Sequence, residues 1–191
     1  MDAPALLIID VQKAIDDPSW GSDRNNPGAE ANIARLLEAW RARGWPVIHV
    51  RHASRDPQST YRRGQDGFDF KPEVAPLPGE RIIEKQTNSA FIGTTLELEL
   101  RAAGITRLVI AGVITNNSVE ATVRMAGNLG FDATIVADAT ATFGRCDYDG
   151  NWRNAAEVHA MSLANMDGEY ATVATTAELI ASASTPPRPS R

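Results

Sequence analysis

The chain has 191 residues, 43% hydrophobic and 23% charged, an ordinary balance for a soluble globular protein with one domain and a substantial core. Its formal charge of -5 is spread without a long block of either sign, which disfavours a grip on nucleic acid or an anionic membrane and leaves small molecules or proteins as partners. One cysteine, Cys146, excludes an internal disulfide and any multi-cysteine zinc site. No apolar stretch approaches the ~20 residues of a membrane span, and Met1-Asp2-Ala3-Pro4 lacks the basic start of a signal peptide, so a cytoplasmic location is expected.

Ala5 to Ile9 is a continuous apolar run ending at Asp10, the pattern of a strand buried on both faces. After a polar loop from Asp16 to Pro27, Ile33, Leu36, Leu37 and Trp40 repeat at helical spacing up to Gly44, a C-cap. Pro46 to Arg51 is the second strand, closing a βαβ unit. His52 to Pro78 is a long, charged, proline-containing excursion with at most a helical turn near Tyr61, and loops of that length often form functional rims. Gly79 to Lys85 reads as a third strand, delivering Lys85 to the same sheet edge as Asp10. Thr95 to Ala103 fits either period, and the need for a crossover between parallel strands decides for helix.

Arg107 to Ala111 is the fourth strand. It passes through a tight turn at Gly112 into a helix with Val119, Thr122, Val123 and Ala126 on one face, capped by Gly130. Asp132 to Ala137 is the fifth strand, followed by a loop from Asp138 to Asn151. A helix from about Arg153 to Met166, a sixth strand from Tyr170 to Ala174 and a closing helix from Thr176 complete the chain. Residues 182–191 are expected to be a disordered tail behind a single domain over 1–181. The alternation predicts an α/β fold, a doubly wound three-layer domain with a six-stranded parallel sheet flanked by helices.

In such sheets ligands bind beyond the carboxyl ends of the strands. Asp10, Lys85 and Ser118 all fall there. Singly each has an ordinary reading: a loop acid, a solvated charge, a first-turn helix serine. Together they supply a proton acceptor, a cation that holds it ionised, and a hydroxyl at a helix start, where unpaired N–H groups favour developing negative charge.

These residues carry a resemblance. Leu7-Ile8-Ile9-Asp10-Val11-Gln12, Lys85 with Ser89-Ala90-Phe91, and Ala111-Gly112-Val113-Ile114-Thr115-Asn116-Asn117-Ser118-Val119-Glu120-Ala121-Thr122 occur in order, and the chain resembles the isochorismatase-like (cysteine) hydrolase superfamily over nearly its whole length. The resemblance implies a Rossmann-like fold, catalytic roles for Asp10, Lys85 and residue 118, a homo-oligomer and no cofactor. It also implies a cis peptide at Val113-Ile114 that aims the N–H groups of Ile114 and Ser118 at an oxyanion. The departure is at the nucleophile, where Ser118 stands in place of the family's cysteine. A thiol with a reference pKa of ~8.5 is readily drawn to thiolate, whereas an alcohol must lose its proton as it attacks. Either Ser118 is a hydroxyl nucleophile, or the covalent step is skipped, as in the isochorismatases proper, which cleave a vinyl ether with the aspartate as acid.

A metal site is not expected, because His49 and His52, three apart on one strand, point to opposite faces. His52 lines the rim or bonds a loop carbonyl, and His49 is a core or interface residue. Gln12 either binds a substrate amide or carboxylate or braces a loop. Phe91 and Trp20 wall a pocket or pack. His159 is structural and Cys146 an incidental surface thiol. The expected function is a hydrolase acting on a C–N or vinyl-ether bond of a small, planar or carboxylate-bearing metabolite. The alternative is a pseudoenzyme that keeps the pocket for binding or oligomerisation, with apolar helix faces and the 52–78 excursion as interface material.

Overall fold

The computed structural model describes residues 3–184. Six parallel strands, β1 (Ala5–Ile9), β2 (Val47–His52), β3 (Arg81–Lys85), β4 (Arg107–Val113), β5 (Asp132–Ala141) and, after the short strands β6 (Arg145–Cys146) and β7 (Trp152–Arg153), β8 (Thr172–Ala174), form one sheet in the order β3-β2-β1-β4-β5-β8. The chain winds outward from β1 to one edge and then, beginning at β4, to the other. The β1/β4 boundary is therefore the switch in strand order, where a doubly wound sheet opens a ligand crevice.

β1 sorts its side chains by alternation. Ala5, Leu7 and Ile9 pack with Leu96 and Leu100 of α2 (Leu96–Ala102), Val119 just before α3 (Glu120–Asn128), Val123 and Ala126 of α3, and Met166 of α4 (Ala155–Met166). Leu6 and Ile8 face the other way, against Ile33, Leu36, Leu37 and Trp40 of α1 (Ala29–Arg41) and Leu179 and Ile180 of α5 (Thr176–Ser184). The two clusters make the expected three layers.

The differences from expectation sit at strand ends and in loops. β4 does not stop before Gly112 but runs to Val113, with a register shift against β5 between Ile110 and Gly112. Gly112, at φ 130, pairs with Ile9, and a Cβ on it would lie 2.2 Å from the Ile9 carbonyl oxygen. Only glycine lets β4 approach β1 this closely beside Asp10. β5 continues past Ala137 to Ala141, and the loop behind it holds a small antiparallel hairpin of β6 (Arg145–Cys146) and β7 (Trp152–Arg153). The excursion after β2 carries short 3-10 turns at Asp66–Phe68 and Pro72–Val74 rather than a helical turn at Tyr61. α5 extends to Ser184, into the stretch expected to be a tail, whose remainder lies outside the described residues.

Candidate active site

β1 delivers Asp10, which leaves the strand in the left-handed region at φ 55, a conformation a short polar residue tolerates better than most. Its backbone N–H still bonds Val50 of β2 at 2.9 Å, so the residue is fixed where the strand ends. β3 delivers Lys85, which pairs in register with His52 and is fully buried. The Lys85 ammonium donates to Asp10 Oδ2 at 2.5 Å, the Thr87 carbonyl at 3.1 Å and Ser118 Oγ at 3.3 Å, which occupies its three protons.

Ser118 sits in a π-helical turn, Thr115–Val119, that opens directly after a cis Val113-Ile114 peptide and runs into α3. Neighbours pin this turn from several sides. Thr115 Oγ1 meets His159 Nδ1 of α4 at 2.9 Å, and Asn116 accepts from Thr142 Oγ1 at 2.5 Å. Thr122 donates to the Ser118 carbonyl at 2.7 Å and accepts from the Ala90 N–H at 3.0 Å, linking the 88–91 segment to the turn.

Burial pushes the Asp10 carboxyl above the usual carboxylate range, against the downward pull of the Lys85 ammonium and the Ser118 hydroxyl. Asp10 Oδ1 is buried with no hydrogen-bond partner. Asp10 and Ser118 line a cavity of about 160 Å³ together with Ile15, Trp20, His52, Ser59, Tyr61, Asn88, Val113, Ile114 and Asn117. That is below the ~300–1,000 Å³ of common ligand sites, a space for a small reacting group. A larger open groove of about 670 Å³ lies between the end of α1 and the start of β3, lined by Trp45, Leu77 and Glu80 among others, and none of the three converging groups lines it.

The structure thus brings Asp10, Lys85 and Ser118 together and puts Ile114 and Trp20 in the cavity wall, Trp20 stacked on Phe143 with centroids 5.7 Å apart. It does not bring Gln12 or Phe91. The Gln12 amide is fully buried and spent on backbone, accepting from His52 N–H at 2.7 Å and donating to the carbonyls of His52 at 3.1 Å and Phe68 at 2.9 Å. Phe91 stacks on Phe131 at 5.7 Å within the core. His49 and His52 do diverge: His49 Nε2 bonds Glu80 at 2.9 Å, while His52 lines the cavity. Among the described residues no group of three or more His, Cys, Asp or Glu side chains could hold a metal ion. Cys146 is exposed and is not among the cavity-lining residues. Sequence reasoning misses Ser59, Tyr61, Asn88 and Asn117 as wall residues. A lone tyrosine, Tyr61, in a charged excursion is the one available signal.

A model of the isochorismatase domain matches residues 4–178. The crystal structure of a putative hydrolase of the isochorismatase family from Chromobacterium violaceum is 61% identical, with 96% of this chain and 94% of that one covered and a TM-score of 0.93. The isochorismatase family protein YrdC of Bacillus subtilis is 48% identical over 176 residues, 92% of this chain and 94% of that protein. The ureidoacrylate amidohydrolase RutB of Variovorax paradoxus is 31% identical over 174 residues, 73% of this chain and 69% of its own length.

Proposed function

The chain belongs to the isochorismatase family, and from that premise we propose that it hydrolyses a C–N bond, amide or carbamoyl, of a small metabolite, with Asp10, Lys85 and Ser118 as the reacting constellation. The observation that carries this reading is a buried carboxylate and a hydroxyl in the wall of one small cavity, both bonded by the same buried ammonium. The similarity to an amidohydrolase supports the choice of bond.

In this reading the Ser118 oxygen adds to the substrate carbonyl carbon as its proton passes to Asp10. Burial helps, because a carboxylate raised above its usual range is a stronger base. Lys85, already donating to Ser118 Oγ, stabilises negative charge on that oxygen as the proton leaves. The N–H groups of Ile114 and Ser118 receive the carbonyl oxyanion. Collapse breaks the C–N bond, the leaving nitrogen takes the proton from Asp10, and water, with Asp10 again as base, hydrolyses the resulting serine ester.

The same raised carboxyl favours a second route in which Asp10 acts as acid on a vinyl ether and Ser118 only donates a hydrogen bond. Turnover of ureidoacrylate and of other small amides and vinyl ethers by wild type, Asp10→Asn, Ser118→Ala and Ser118→Cys separates the readings. The covalent route predicts that Asp10→Asn and Ser118→Ala each lower kcat by about 10³ or more, with an acyl-serine adduct visible by mass spectrometry. Full turnover in Ser118→Ala beside loss in Asp10→Asn would assign the acid route. No turnover in wild type, with activity created by Ser118→Cys, would assign the pseudoenzyme. A homo-oligomer belongs to the same proposal, with exposed Leu98 and Met161 on helices as interface material, and sedimentation velocity tests it.

A further inference from the structure

α4 is an apolar helix that turns polar where it meets the Ser118 turn. From Ala155 to Met166 its only Asp, Glu, Lys or Arg is Glu157, which is engaged in the capping box with Asn154. Two polar residues, His159 and Ser162, nonetheless lie three apart and so share one face. His159 Nδ1 meets Oγ1 of Thr115, the first residue of the π turn, at 2.9 Å. Ser162 Oγ donates to Oε2 of Glu120, the first residue of α3, at 2.6 Å. α4 therefore grips both the turn and the helix that continues it at their starting residues. Its own start is fixed by the capping box and by Asp23, whose carboxylate takes the Ala155 N–H at 3.2 Å.

The direction of the first of these bonds follows from burial. Thr115 is wholly buried, so its hydroxyl proton needs an acceptor inside the protein, and a neutral imidazole protonated on Nε2 offers Nδ1. Burial holds His159 below the ordinary histidine range, partly offset by the Ala137 carbonyl of β5, and no charged group contributes to that shift. Replacing both partners of a buried hydrogen bond by apolar groups of the same shape is nearly neutral for stability, so what such a bond adds is a fixed orientation. The π turn needs that support, because its own wide bond, from the Val119 N–H to the Ile114 carbonyl, is 3.4 Å long. Three residues beyond Thr115, Ser118 Oγ meets the Lys85 ammonium at 3.3 Å, a bond that a small rotation of the turn would break. We propose that His159 is a positioning residue: through Thr115 it fixes the rotation of the π turn and so holds the side chain at 118 against Lys85. This deepens the reading of Ser118 as a reacting group and rests on it.

The placement of residue 118 can be read without turnover, from the pH dependence of iodoacetamide alkylation of a Ser118→Cys thiol, with the exposed Cys146 removed as Cys146→Ser. Held against Lys85, that thiol should titrate below the ordinary ~8.5. Adding His159→Phe should return it toward ~8.5 and slow alkylation at pH 7 about tenfold, with little change in global stability. His159→Asn, which keeps an acceptor near the position of Nδ1, should hold both values within a few-fold of the parent. Thr115→Val removes the hydroxyl with little change of shape and should match His159→Phe, and the two combined should be no worse than either alone. If His159→Phe fails to fold, Thr115→Val and His159→Asn make the same comparison. An unchanged thiol in folded Thr115→Val or His159→Phe, equal losses in His159→Asn and His159→Phe, or a parent thiol already at ~8.5 would overturn the proposal. The predicted pattern in a protein that hydrolyses nothing would leave it standing while removing the hydrolase reading.

Discussion

Lys85 and Asp10 form an ion pair with side chains 0% and 5% exposed, and such a pair is far more costly to break than to replace. Lys85→Met would leave the carboxyl buried with neither its cation nor its shortest hydrogen bond. It should cost about 3–5 kcal/mol in urea unfolding at pH 7, or force Asp10 to take up a proton. Adding Asp10→Asn to Lys85→Met should recover a good part of that loss, and a double variant no more stable than the single one would refute the account. The strand ends make this pair legible, because an apolar run that stops at an acid and another that stops at a lysine mark the same sheet edge. Gln12 is not legible in the same way. Strand alternation ends at Ile9, and the left-handed turn at Asp10 redirects the chain, so counting by twos past residue 9 carries no information about where residue 12 points. Phe91 escapes the sequence for a related reason: an aromatic three residues from a pocket residue can face either the pocket or the core, and only packing against Phe131 decides it.

At the scale of elements, the approach of β4 to β1 depends on Gly112 and the shape of the Ser118 turn depends on its neighbours. Gly112→Ala would place a Cβ 2.2 Å from the Ile9 carbonyl oxygen and 2.6 Å from its nitrogen, against backbone that has no flexible end to yield. Gly130 also has positive φ, at 82, yet nothing lies within 4 Å of its missing Cβ. Gly130→Ala should therefore cost only the ~1–2 kcal/mol of a left-handed alanine, while Gly112→Ala costs several kcal/mol or prevents folding. Equal losses in chemical denaturation would show that close packing at Gly112 is unimportant. The helical period from Val119 to Ala126 is plain in the sequence, since it records only which face meets the core. The π turn before it leaves no periodic trace, because its shape is fixed largely by distant partners, His159 and Thr142. The β6–β7 hairpin is illegible too, with two residues per strand and all four exposed, too few for any alternation to emerge.

For the whole molecule, the strand order follows from alternating helices and strands, but it says nothing of what holds the edge strand that carries Lys85. Beside its ladder to β2, β3 is held at its start by Glu80, the residue just before it. Its carboxylate takes a two-pronged contact from Arg41 of α1 at 2.7 and 2.8 Å, the Leu77 N–H at 2.8 Å and His49 Nε2 of β2 at 2.9 Å. Burial alone would raise its pKa, and these partners overcome that and hold it at about 2 against an ordinary 4.5. A carboxyl depressed on folding lends stability that is complete above about pH 4.5 and is lost as the pH falls toward 2. Buried His49 is likewise held below 6.5, so its share is present above that value and begins to fade first. Comparing wild type with Glu80→Gln isolates the carboxyl from every other group that titrates in acid. The variant should be less stable at pH 7 by about 1–2 kcal/mol, a figure reduced for residual solvent screening, and the gap should close between pH 4.5 and 2. A gap that stays constant across that range would mean that Glu80 contributes shape rather than charge. If the gap closes as expected, the position of Lys85 is tied through β3 to an ion cluster at the opposite end of its strand. Hydrogen exchange at Ile83, central in β3, should then quicken in the variant at pH 7, with little change at Ile8 in β1.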